Sequence, residues 1–271
     1  MRCELKKALE GMTPPLLMNA LKSKFGSYGF SGNYSTWEEA KASSEGYDSG
    51  SILDKVKEAL LKVKNGQAVY ERDSVLFDEI EYSWPLLAAL LWISSRHDNR
   101  LNLVDFGGSL GSSYFQNRHF LNHLQAFQWS VVEQKHFVEC GRENFEDEHL
   151  KFYFDLDGCA EVKEAKVILF LSVIQYIEDP FKLLETVVNR GFQYIIFDRT
   201  PFLEQGQSRI AVQRVSAKIN KASYPLWIFN FDEFIDFFIQ HGYEVVAHFN
   251  SAQTTITAVP EFKGCIFKRS I

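Results

Sequence analysis

Three acidic residues each close a short apolar run. Asp105 follows Asn102-Leu103-Val104 and leads into Phe106-Gly107-Gly108-Ser109-Leu110-Gly111. Glu133 ends Trp129-Ser130-Val131-Val132, and Asp198 follows Tyr194-Ile195-Ile196-Phe197. Carboxylates at strand ends can answer an ammonium group, accept hydrogen bonds from sugar hydroxyls, or take a proton from an attacking nucleophile. The glycines after Asp105 let the backbone turn sharply and approach a ligand with no Cβ in the way.

The order of the glycines narrows the ligand. A dinucleotide fingerprint needs G-x-G-x-x-G, but the frame from Gly107 places Ser109 and Ser112 at its second and third glycines. That disfavours an NAD-dependent oxidoreductase. A carboxylate at the first tip would also repel a pyrophosphate, whereas it suits a cationic group such as an amine. Glu133, at the end of the second run, suits the ribose hydroxyls.

Other residues are candidates for the same crevice. Asp198 is the candidate general base, the alternative being an anchor for Arg199 or a loop amide. Tyr176 can orient an acceptor hydroxyl, although a phenol with a pKa near 10 is a poor base. Arg72, with Tyr70 beside it, offers a planar fork for a bound carboxylate; a pair with Asp73 in the same loop is its alternative.

The elements that must position these groups follow from periodicity. From Leu101 the chain alternates strand and helix, the pattern of a parallel sheet. Strands are expected at 101–105, 129–133, 151–155, 166–171 and 194–198, with two final strands at 243–249 and 264–268. Asp179-Pro180 opens a helix that Gly191 closes, and Gly242 stops another over 230–241. Upstream, Thr36 and Glu39 form a capping box. Ile52, Val56, Ala59, Leu60 and Val63 share a helix face, and a further helix starts near Ser83. Residues 1–98 are therefore expected to form a helical cap, and 99–271 the core with an insertion at about 201–227. Within that insertion, Arg209, Arg214, Lys218 and Lys221 suggest a solvated charged helix, or a surface for a sugar, a phosphorylated group or a peptide.

Composition excludes several classes. A net charge of -6 argues against broad attraction to nucleic acid. Cys3, Cys140, Cys159 and Cys265 show no metal-ligand spacing, so no metal site is expected and the thiols suit a reducing compartment. The longest apolar run, Trp84 to Ile93, is too short to span a bilayer, and the N-terminus lacks a signal-peptide pattern. A cytoplasmic protein is expected. Leu16–Lys24 can lie on a membrane surface, but packing on its own domain is preferred.

Asp105 followed by Gly107, Gly108 and Gly111 resembles the first motif of class I S-adenosylmethionine-dependent methyltransferases, with Ser109 in place of the middle glycine. Ser172-Val173-Ile174-Gln175-Tyr176-Ile177-Glu178-Asp179-Pro180 resembles the fourth motif of the same family. The resemblance implies a doubly wound α/β fold with a mostly parallel seven-stranded sheet, ending in a hairpin whose last strand is antiparallel. It implies S-adenosylmethionine as cofactor: Asp105, Phe106, Gly107, Gly108 and Gly111 at the amino acid part, Glu133 and Gln134 at the ribose. Asp155 with Leu156 (or Asp157) would hold the adenine, and Leu171 and Ser172 the methionine end, with Arg72 at the carboxylate. The phrases Tyr70-Glu71-Arg72-Asp73-Ser74, Trp129–Gln134 and Asp198-Arg199-Thr200-Pro201-Phe202 are further similar to a narrower bacterial group found beside surface-polysaccharide biosynthesis functions. That likeness implies transfer of a methyl group to an oxygen or nitrogen of a small molecule, glycan or glycan precursor. A non-catalytic binding or scaffold protein of the same fold is the alternative.

Overall fold

A computed structural model describes residues 29–46, 49–160, 165–215, 222–251 and 260–270. The proposed surface segment at 16–24, Lys218, Lys221 and the Thr-rich turn after Ser251 lie outside them. In chain order the first elements are β1 (Gly29–Tyr34), α1 (Trp37–Ala42), α2 (Ser49–Lys64), β2 (Tyr70–Arg72), β3 (Val75–Phe77) and α3 (Trp84–Ser95). Then β4 (Arg100–Phe106), α4 (Ser112–Leu121), β5 (Ala126–Val132), α5 (Lys135–Asn144), β6 (Leu150–Tyr153), α6 (Leu156–Ala160) and β7 (Val167–Leu171) alternate. The chain continues with α7 (Pro180–Arg190), β8 (Tyr194–Leu203), β9 (Arg209–Arg214), β10 (Ser223–Asn230), α8 (Phe231–Gln240), β11 (Tyr243–Asn250) and β12 (Glu261–Arg269).

The chain divides into two compact units, residues 48–210 with 226–271, and residues 1–47 with 211–225. The smaller holds β1 and α1. Thr36 Oγ1 accepts from the Glu39 amide at 3.2 Å, while the Glu39 carboxylate takes the Ser35 amide at 3.1 Å. The capping box thus forms, closed one residue earlier than its usual reciprocal bond. Gly46 bridges Ser223, whose hydroxyl accepts from the Glu45 amide at 2.7 Å.

The larger unit is an α/β sheet with helices on both faces. Its strands run β6-β5-β4-β7-β8, all parallel, and continue to β12 and β11. β12 is antiparallel to β8 and pairs with β11 as a hairpin. Alternate side chains serve opposite faces, as a strand's two-residue period requires. Leu103, Val167, Leu169 and Ile196 join one core cluster, together with α2, α3, α4 and α5. Val104, Ile168, Phe170, Ile195 and Phe197 join the other, with α7 and α8. Both faces covered is what makes these strands nearly continuous apolar runs.

Three expectations need correction. The sheet exceeds seven strands, because β10 adds to β8 in parallel through Phe229↔Phe202 and Asn230↔Leu203. The described part of the 201–227 insertion holds strands joined by a turn, not a charged helix; Ile210, Ala211 and Val212 are buried, so Arg209 and Arg214 stand at the two ends of a strand with an apolar run. The first hundred residues are not wholly helical. β2 and β3 pair antiparallel around Asp73 and Ser74, whose φ values of 53° and 66° are those of a type I′ turn. Such turns usually advertise themselves with Asn-Gly or Asp-Gly, and the glycine is missing here.

The second core is built from phenylalanines. The Phe197 ring lies 5.0 Å from Phe170 and 5.0 Å from Phe234, in stacked and edge-on contact respectively. Phe238 stacks on Phe267 at 4.2 Å. Such pairs add to the area they bury. Phe197→Ala is expected to lower unfolding free energy by about 3–5 kcal/mol in urea titrations, since the cavity opens in the middle of this cluster.

Candidate functional site

β4 lies at the point where the strand order reverses: β5 and β6 build one way from it, β7 and β8 the other. Ligands of open α/β sheets bind outside the carboxyl ends of strands at such a switch point. The backbone there departs from ordinary conformations. Gly107 and Gly111 have φ of 70° and 91°, and three side-chain-bearing residues, Ser109, Ser172 and Arg199, sit at 54°, 64° and 54°. Left-handed residues other than glycine cost free energy and cluster at ligand sites.

Asp105 lies beneath the loop. Its side chain is fully buried, Oδ2 accepts from Trp129 Nε1 at 3.0 Å, and Oδ1 has no partner. Gly108 makes the space: a Cβ there would come within 2.6 Å of the carboxylate. Burial drives the pKa of Asp105 up to about 7, against the pull of the Trp129 hydrogen bond and the Arg199 charge. Gly107 donates its amide to Val132 O at 2.8 Å and leaves the room that Val173 occupies, where a Cβ would meet Cγ2 at 2.3 Å.

Glu133 stands half-buried at the end of β5. It accepts from the Gln134 amide at 2.6 Å and also from the Ser109 amide, tying the glycine loop to the neighbouring strand. Burial nevertheless raises its pKa. Phe106 is half-buried with its ring 5.4 Å from Phe170, and Gln134 is exposed at the start of α5. Asp155, exposed, spends Oδ1 on the Gly158 amide at 2.7 Å and so caps α6, where Leu156 is buried. Asp157 pairs instead with Arg190.

On the other side of β4, the Ser172 amide donates to Asp198 O at 2.9 Å and its hydroxyl accepts from Gln175 at 3.1 Å. Tyr176 is half-buried and closes the 3₁₀ turn Ile174–Tyr176. Asp198 is buried, and its Oδ1 accepts from the Arg199 amide at 2.8 Å and the Ser251 hydroxyl at 2.6 Å. It therefore performs the anchoring role. A narrow cleft opens here, bringing together Arg72, Leu171, Asp198, Arg199, Ser113 and Gln116. Arg72 pairs with Glu81 at 2.9 Å rather than with Asp73.

Sequence reasoning missed Glu71, which is buried and receives the Ser112 hydroxyl at 2.6 Å and the Ser74 amide at 2.7 Å. It joins the hairpin turn to the first residue of α4. It also missed Gln116, whose Nε2 donates to Tyr70 Oη at 3.2 Å. No local pattern marks either residue.

No family model and no curated protein sequence matches the chain. Solved structures are similar at low identity. The N-terminal domain of EvdMO1, in the presence of SAH and D-fucose, has a TM-score of 0.49 and 12% identity over 83% of this chain and 98% of that one. A SAM-dependent methyltransferase from Methanosarcina mazei has a TM-score of 0.49 and 8% identity over 69% and 98%. LepI in complex with SAM has a TM-score of 0.47 and 12% identity over 68% of this chain and 46% of that one. The chain spans about half the length of the LepI chains it matches.

Two outcomes follow from the loop. The folded fold of Asp105 favours the protonated acid, so the stability tied to it is complete below pH 3.8 and is lost as pH rises through about 7. Denaturation midpoints of the wild type should therefore fall, relative to Asp105→Asn, across that window. Gly107→Ala should cost about 1–3 kcal/mol through its positive φ and the clash with Val173, and Val173→Ala added to it should recover the steric part, read by the same titrations.

Proposed function

We propose that the protein is an S-adenosylmethionine-dependent methyltransferase acting on an oxygen or nitrogen nucleophile. The observation that carries this is the reversal of strand order at β4, with left-handed Gly107 and Ser109 on the loop that leaves it, left-handed Ser172 after β7, and the carboxylates Asp105 and Glu133 at the ends of β4 and β5. The first-motif resemblance and the antiparallel hairpin end of the sheet support it.

The residues present suit that cofactor. Glu133 spends two acceptor positions on amides and keeps others for a ribose diol. Asp155 keeps Oδ2 for an adenine amino group beside the apolar Leu156; the half-buried Phe106, Gly107 and Gly108 would present backbone to the amino acid part, with the buried Gly111 shaping the loop behind them. Asp105, with one unpartnered oxygen under the loop, would act on an ammonium through the loop it supports. Leu171 and Ser172 would border the methionine end, Gln134 the ribose, and Arg72 the carboxylate. Bound there, S-adenosylmethionine supplies a methyl group on a sulfonium, already activated for transfer.

The protein's own work is then mainly positioning. Tyr176 orients the acceptor, and Asp198 receives its proton at the oxygen not held by Arg199 and Ser251. A glycan or glycan precursor is the acceptor that the narrower resemblance favours. One observation favours the second possibility, a binding protein without turnover: Asp198 is already occupied as an anchor.

Calorimetry with S-adenosylmethionine and S-adenosylhomocysteine tests the proposal. Both should bind, and Glu133→Ala should weaken both at least tenfold with an unchanged circular dichroism spectrum; failure of either to bind the wild type rejects the enzyme. Asp198→Ala should abolish turnover with cofactor affinity nearly intact; loss of both together removes the base role and leaves the anchor.

A further inference from the structure

The ladder between β8 and β12 slips by one residue. Phe197 pairs with Cys265 and Thr200 with Lys263, so Asp198 and Arg199 together face Gly264. A bulge of this kind bends the strand and re-aims a side chain. Arg199 adopts the left-handed conformation, and its side chain lines the cleft beside Ser83, Ser113 and Gln116.

Its charge has no ion-pair partner there, although it acts at longer range on the buried Asp105. Nε is sealed from solvent and has no hydrogen-bond partner. Among the described residues no carboxylate lies within ion-pair distance of the guanidinium, whereas the other arginine of the cleft, Arg72, has Glu81. The adjacent Asp198 turns Oδ1 to the Arg199 amide and to Ser251 instead. A partly buried guanidinium with an orphan N–H is unfavourable until an acceptor completes it, and its planar fork matches an oxyanion in two parallel hydrogen bonds.

We propose that Arg199 receives an anionic group, carboxylate or phosphate, carried by the methyl acceptor. This rests on the methyltransferase assignment above and adds the acceptor's charge to it. Arg199 shares its cleft with Arg72 and Leu171, so the anion it takes would lie beside the donor's methionine end, with Arg72 left for the donor's own carboxylate. Glu133 and the Gly107 loop stand at the tips of β5 and β4, while Arg199 stands beyond β7 on β8.

Arginine Nε–Hε correlation spectra of the full chain test this, with Arg199→Lys identifying the signal. In protein saturated with S-adenosylhomocysteine, titration with acetate or inorganic phosphate at constant ionic strength should move the Arg199 signal saturably, with chloride having no effect. Arg199→Lys should change S-adenosylhomocysteine affinity less than about twofold. An Arg199 signal that ignores both anions overturns the proposal. So does an Arg199 signal moved by S-adenosylhomocysteine but not by 5′-methylthioadenosine, which lacks the carboxylate, because the anion would then be the donor's own. If S-adenosylhomocysteine does not bind at all, the methyltransferase assignment fails, and the same anion titration on the unloaded chain still decides whether Arg199 is an anion receptor.

Discussion

A carboxylate with no access to water governs the centre of this sheet. Asp105 is enclosed on the central strand with a single hydrogen bond, from Trp129 on the neighbouring strand. An isolated buried charge is costly, and the fold answers by raising the proton affinity of the group. The loop above must then be glycine at position 108, since any side chain would occupy the place of the carboxylate. The same loop must be glycine at 107, where Val173 closes in from the next strand's exit. Acid, indole and two glycines thus form one steric unit, and the path of the loop past Ser109 to Glu133 follows from it.

Around that unit, the connections are polar and local. Ser109 reaches Glu133, Ser172 reaches Asp198, and Ser112 reaches Glu71, each joining a strand tip or helix start to the next element. The two apolar clusters on either face hold the strands in place, and these short bonds set where their ends point. Rigid strands with mobile chemistry confined to their tips is the arrangement by which α/β folds present a site.

Much of this was legible in the sequence because the core strands are short apolar runs ended by acids or glycines. Asp179-Pro180 and Gly191 mark α7 at both ends, and the structure places Asp179 Oδ1 3.3 Å from the Lys182 amide, with Gly191 left-handed. Other features were not legible because they are decided by partners far along the chain. Nothing near Asp105 announces that Trp129 will hold it, so an acid read as facing a ligand turns out to lie under the loop. Arg72 has Asp73 beside it in sequence but finds Glu81 in space. β9 escapes notice because its arginines sit at both ends of a buried Ile-Ala-Val run and imitate a solvated helix.

The slipped pairing at Gly264 also determines which way the rest of β8 faces. A strand's side chains alternate, so one supernumerary residue inverts every later position relative to the partner. Thr200 and Phe202 are both buried beyond the slip, Phe202 edge-on to Phe231 at 5.3 Å and tilted against Phe229. Removing the supernumerary residue would rotate this aromatic end of the strand onto the opposite layer, so the irregularity acts as a phase shifter between the half of β8 that builds the core and the half that meets β10.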